Sequence, residues 1–253
     1  MPSKTRAVPA TAVDKTADSP WLSAYVTNAG RYAAGLRAGE WLKFPTTKEN
    51  VQALLKRIGV DGIRHEELFI TAYDSNVRGV RDCLGEYESL DALHFLSFLL
   101  TRLDKYELER FEAIAFTDAR AVDLASLINI TQNLECFEYF PGVTDDETLG
   151  RIYVDDMEIL DVPEDVRPYF DYEAYGRDMR INENGRYAPD GYVIPNGAKF
   201  VEVYHGPQDI PKEQRVFAYP KLSIREQMAA YKAAKKSAQS VERAEPTHDH
   251  DER

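Results

Sequence analysis

The chain has 253 residues, 43% of them hydrophobic and 29% charged, with a formal net charge of −12. That length buries a real core and divides into about one to three small domains. The acidic balance, with a pI near 5.0, argues against a general DNA-binding role, which rests on a basic stripe. No apolar run reaches the roughly eighteen residues that a membrane span needs.

Residues 1–19 are rich in Ser, Thr, Ala, Pro and Lys. Without an apolar h-region they read as a flexible leader, not a secretory signal. A first unit, 20–75, opens with a strand at 21–27, a turn at Asn28-Ala29-Gly30 and a second strand at 39–44 ended by Pro45. Thr46 with Glu49 predicts a capping box. Val51, Leu54, Leu55 and Ile58 then line one helix face, and Gly59 stops it. A third strand follows at 67–73. The middle unit, 76–122, is helical. Ser89 caps a run through Leu93, Phe95, Leu96, Phe98, Leu99 and Leu103. Tyr106, Leu108, Phe111 and Ile114 form a second helix, and Thr117 or Asp118 opens a third.

The third unit, 123–196, holds a strand at 135–140 and a turn at Pro141-Gly142. Thr144 caps a helix reaching about residue 154. Val162-Pro163-Glu164 opens a helical turn with Pro at its first position. A short helix follows at 171–179, then either a hairpin or an extended exit at 186–194, with Pro189-Asp190-Gly191 as the turn. Residues 197–253 read as a peripheral or mobile extension, with an Ala/Lys-rich helix at 223–240. The fold class is α+β: a strand-rich module, a helical middle and a mixed acidic unit, flanked by leader and tail.

The charge is not spread evenly. From Asp123 to Asp178 fifteen acidic residues face only Arg151, Arg167 and Arg177, a balance of −12 that equals the formal charge of the whole chain. The same stretch is dense in aromatic and aliphatic residues, unlike a solvated acidic tail. A folded unit therefore holds a negative field that repels nucleic acid and attracts basic surfaces. The candidate surface residues are Glu138, Asp145, Asp146, Glu147, Asp155, Asp156, Glu158, Asp161, Glu164, Asp165, Asp171, Glu173 and Asp178. Duplex DNA carries about one charge per 1.7 Å of axis, so about 30 Å of duplex carries roughly eighteen. A net −12 on one unit is of the same order.

Other readings of the same residues stand beside this one. Asp145, Asp146, Asp155 and Asp156 could serve a carboxylate–metal hydrolase, although no histidine lies between His94 and His205. A plain solvated acidic face, or an acidic adaptor for another basic protein, also fits. Tyr169, Phe170, Tyr172 and Tyr175 read as core in preference to a ligand cage. Lys232, Lys235 and Lys236 read as a solvated helix face, and His248-Asp249-His250-Asp251 as incidental. Cys83 and Cys136 lack metal spacing and read as reduced, buried thiols of a cytoplasmic protein. There is no phosphate loop, nucleophile elbow or Cys/His cluster, so no cofactor and no metal is expected.

The segments INITQNLECFEYFPGVTDDETLGRIYVDD (128–156) and YFDYEAYGRDMRINENGRY (169–187) resemble the ArdA-type antirestriction proteins of conjugative plasmids and transposons. So do GEWLKFP (39–45), LFITAYDS (68–75) and LGEYESLDALHFL (84–96). The resemblance spans about 21–195. It implies an elongated, three-domain, homodimeric protein without enzymatic activity. Such a protein imitates B-form DNA and occupies the DNA-binding groove, in the methyltransferase core, of a type I restriction–modification enzyme. It also implies an antirestriction segment around 154–168 and a dimer contact in or near the third domain. Two features depart from the family pattern: the added leader and tail, and a first unit that carries Arg31, Arg37, Lys43, Lys48, Lys56 and Arg57.

Overall fold

The computed structural model describes residues 21–242, so the leader at 1–19 and the His248–Asp251 run lie outside the described residues. The first sheet begins with β1 (Leu22–Asn28), followed by a short helix α1 (Ala29–Ala33) and β2 (Gly39–Phe44). In β1 Leu22, Ala24 and Val26 alternate inward, the period that a half-buried strand requires. Helix α2 (Lys48–Ile58) buries Val51, Leu54, Leu55 and Ile58 and ends at Gly59 with φ 77°, a left-handed cap that glycine adopts without strain. Its N-cap is Thr47, one residue later than expected, with the Thr47 side chain accepting from the Asn50 N–H. Thr46 instead turns its own N–H to His94 Nδ1 at 3.1 Å. Strand β3 (Leu68–Ser75) completes an antiparallel sheet of order β2-β1-β3.

Three helices follow. Helix α3 (Leu90–Leu100) is capped by Ser89 and buried on nearly every side, as a helix apolar all round must be. Helix α4 (Lys105–Thr117) starts at a capping box of Asp104 and Glu107. Helix α5 (Leu124–Thr131) starts at Asp123, not at Thr117 or Asp118. Asp118 ends α4, and its carboxylate holds Arg120 at 2.6 Å, so the chain turns before it can coil again.

Strand β4 (Phe137–Pro141) leads to α6 (Asp146–Arg151), capped by Asp145 instead of Thr144. The chain widens into a π-type turn over Ile152–Asp156, then runs to α7 (Tyr172–Asn182) and the hairpin β5 (Arg186–Ala188) and β6 (Gly191–Pro195). The second sheet is antiparallel in the order β4-β6-β5. Its strands alternate between two cores. Phe137, Tyr139 and Val193 join a large cluster with the first sheet and α2 to α5. Tyr192 and Ile194 face the other way, against Val143, Leu149 and Tyr153. Among the described residues the fold is thus mixed α+β, with eight helices and two three-stranded sheets.

The segment after β6 differs from the peripheral extension expected. Tyr204, Ile210 and Val216 enter the large core. Buried side chains hold its backbone. Asn129 Oδ1 accepts from the N–H groups of Val203 and Tyr204, both at 2.9 Å, and Asn129 Nδ2 donates to the Tyr204 carbonyl at 2.8 Å. Asn133 pairs with both backbone groups of Val201. Asp91 accepts from the Val216 and Phe217 N–H groups. The strap therefore runs from the second sheet across α5 and α3 to the first unit. There Tyr219 donates to the Glu66 carbonyl, and Lys56 pairs with Glu226 of the last helix, α8 (Ile224–Glu242). Composition hides this strap because its anchors are single residues bound to distant backbone, with no periodicity of their own.

Candidate acidic interaction surface

The acidic stretch is built on a tight pair of helices. Helices α6 and α7 cross at Gly150 and Gly176, where a Cβ on either residue would collide with backbone of the other helix. The π-type turn and the loop to α7 close over a small core of Val154, Val162 and Tyr172.

Two of the expected surface acids serve as internal struts. Asp146, half-buried, accepts from Arg180 Nε at 2.8 Å and from the Tyr187 hydroxyl at 2.6 Å. The Arg180 guanidinium holds its carboxyl below the usual carboxylate range. Asp155, also half-buried, accepts from the Tyr172 hydroxyl at 3.0 Å and pairs with Arg167 at 3.3 Å. Three more acids are exposed but engaged. Asp145 caps α6 through the Thr148 N–H, which lowers its pKa, and Asp171 caps α7 through the Ala174 N–H. Glu147 pairs with Arg151 along the helix at 2.8 Å.

Glu138, Asp156, Glu158, Asp161, Glu164, Asp165, Glu173 and Asp178 remain. All are exposed, and among the described residues none of their carboxylates takes part in a hydrogen bond or ion pair. Arg151 and Arg167 are consumed by neighbouring carboxylates, so the outward field of this surface stays strongly negative. Its carriers cluster from Asp156 to Asp165, where the chain reverses at Glu158 with φ 50°.

The aromatic residues divide. Tyr172 is buried, and Phe170 packs at 5.0 Å from it and 5.8 Å from Tyr175. Tyr169, expected in the core, is 88% exposed. It joins Met157, Ile159, Leu160 and Val166 as exposed apolar side chains between the acids. Sequence reading missed this apolar component; the signal was the MEIL run inside an acidic loop. Among the described residues no group of three or more His, Cys, Asp or Glu comes together to hold a metal. No helix there is long and apolar enough to cross a membrane. Both cysteines are free thiols, and burial raises the pKa of each.

Arg57 forks onto Glu40, and Lys56 meets Glu226. Arg78 bridges Glu112 of α4 and Asp190 of the β5–β6 turn.

Against known families, the model described as Antirestriction protein (ArdA) matches residues 24–194. The chain belongs to the ArdA antirestriction family. The matched range is close to the 21–195 expected from the quoted segments. It covers every acid of the candidate surface and all but the outer ends of the two sheets, whereas the strap and α8 lie beyond it. No curated protein matches the chain. As an ArdA-family member it is an antirestriction protein.

Proposed function

We propose that this protein inhibits a type I restriction–modification enzyme by standing in for B-form DNA. Its acidic surface would lie in the DNA-binding groove of the methyltransferase core. The observation that carries this reading is the set of exposed carboxylates on a rigid frame, unpaired among the described residues, from Glu138 to Asp178. Phosphate-binding Lys and Arg side chains accept any anion array of suitable spacing, and a preformed array costs little ordering entropy. Steering by the field speeds encounter and makes it sensitive to salt. The protein acts as a cytoplasmic homodimer of three-unit chains (20–75, 76–122 and 123–196), needs no cofactor and performs no catalysis. In support of that last point, three of the four aspartates a hydrolase would use are occupied by protein partners: Asp145 by its cap, Asp146 by Arg180 and Asp155 by Tyr172.

Charge reversal tests the reading. Replacing Asp156, Glu158, Asp161, Glu164 and Asp165 together by Lys lowers affinity for the target enzyme by more than about a hundredfold, because the field changes sign. Any one of them replaced by Ala costs no more than about fivefold, as an exposed ion pair does. Loss of inhibition from one such Ala substitution in a folded protein overturns a distributed mimic.

A further inference from the structure

A groove where β3, the loop into α3 and the strap meet lies outside the acidic surface of 123–196. It has a volume of about 570 Å³. Its lining includes the apolar side chains of Ala29, Leu68 and Leu90 and the rings of Tyr87 and Phe217. Tyr87 is 82% exposed, and two further rings lie in series with it. Phe69 lies 6.4 Å from Tyr87, and Tyr32, 59% exposed, lies 5.2 Å from Phe69. Three rings in file on an exposed surface contribute little to the core and offer flat faces to a partner.

The rim decides what the rings can receive. Glu66, Glu67 and Glu88 line the groove with no Lys or Arg among its lining residues. Among the described residues none of these three carboxylates takes part in an ion pair, and Glu88 accepts only from the Gly85 N–H. The rim repels phosphates, so the rings do not serve as a base-stacking platform or a seat on an anionic membrane. Aromatic faces beside unpaired carboxylates match a guanidinium, which stacks flat on a ring while its N–H fork meets a carboxylate. The compact, strongly hydrated ammonium of Lys matches the pair less well.

We propose that the Tyr87–Phe217 groove is a second docking site, separate from the acidic third unit, that takes an arginine side chain from a basic segment of the target enzyme. This rests on the DNA-mimic reading for the identity of the partner. The chemistry of the groove itself does not. Such a contact adds an apolar component that salt does not screen. Phe217 comes from the strap, beyond the family-matched range, so this wall is supplied by the part of the chain that the match does not cover.

Two measurements on the full chain test it. In the first, the peptides acetyl-Gly-Arg-Gly-Arg-amide and acetyl-Gly-Lys-Gly-Lys-amide are titrated while backbone and aromatic NMR signals are followed. The arginine peptide shifts Tyr87, Glu67, Glu88 and Phe217, the lysine peptide shifts them less, and Tyr87→Ala removes the effect while Tyr87→Phe keeps it. Equal shifts with both peptides, or shifts only in the third unit, overturn the proposal. In the second, Tyr87→Ala and the Glu67→Gln/Glu88→Gln double variant are compared with wild type for binding to a type I methyltransferase core at high salt. Each loses about tenfold in affinity. If wild type binds and the variants bind equally well, the groove is not a docking site and the mimic reading survives. If wild type does not bind the enzyme at all, the mimic reading fails, and the peptide titration alone decides the chemistry of the groove.

Discussion

Asn129→Ala removes the central anchor of the strap. The side chain is buried and makes three hydrogen bonds to the backbone of Val203 and Tyr204. Val203 is exposed, so its N–H regains water. Tyr204 is buried in the large core, and both of its main-chain groups lose their partner. Each buried orphan costs about 1–3 kcal/mol, so the variant loses roughly 3 kcal/mol of stability in total. With an m-value of about 2–3 kcal/mol/M in urea, the unfolding midpoint falls by about 1 M. Asn129→Asp keeps the two acceptor contacts but has no N–H for the Tyr204 carbonyl and buries a charge, so it is destabilised as well. Urea unfolding followed by tyrosine fluorescence reads the loss, and hydrogen exchange at Val203 and Tyr204 reads its location. A midpoint within about 0.2 M of wild type, with exchange unchanged, refutes the view that the strap is fastened here.

Other outcomes follow from the same geometry. Gly176→Ala pushes a Cβ into the Asp146 carbonyl across the α6–α7 crossing, and the overpacked pair costs about 3 kcal/mol, read as a lowered Tm; an unchanged Tm contradicts the close approach. His94 accepts the Thr46 N–H on Nδ1 and so donates from Nε2 to Gln214 at 3.1 Å, which fixes the neutral form. Burial pushes its pKa down, with the Gln214 bond opposing. A depressed histidine means that the unfolded chain binds the proton more readily, so stability is full above about pH 6.5 and declines as pH falls below it. In a His94→Gln variant this part of the pH profile flattens, and chemical unfolding from pH 5 to pH 8 checks it. Asp146, also depressed by Arg180, contributes stability that persists to lower pH and is lost only as pH falls through its folded pKa, below the ordinary value near 3.9; Asp146→Asn removes this second acid step.

Local signals were legible where one segment supplies both partners of a contact. Val51, Leu54, Leu55 and Ile58 share a helix face because their spacing allows nothing else, and Ser89 caps α3 from its own sequence position. The capping errors differ in cause. At Thr46/Thr47 a distant side chain, His94, takes the Thr46 N–H; at Thr144/Asp145 two adjacent side chains could each accept and Asp145 does; and Thr117 and Asp118 close α4, which leaves the cap of α5 to Asp123. The strap was missed because Asn129, Asn133 and Asp91 act on backbone between 68 and 126 residues away. Within the acidic surface, sequence gave the charge but not its division. Asp146 and Asp155 look like Asp156 and Asp165 in one dimension, and only the positions of Arg180, Tyr187 and Tyr172 set them apart. Tyr169 shows the converse, an aromatic at helical spacing that lies before the N-cap of α7 and so points to solvent.

The most direct test of the central claim is displacement of labelled duplex DNA from a type I methyltransferase core by the purified protein at low and high salt. The expected result is displacement at near-stoichiometric protein, weakened strongly as salt rises because the contacts replace phosphate contacts. No displacement at either salt by a folded protein contradicts it, and displacement insensitive to salt contradicts the claim that charge mimicry drives it.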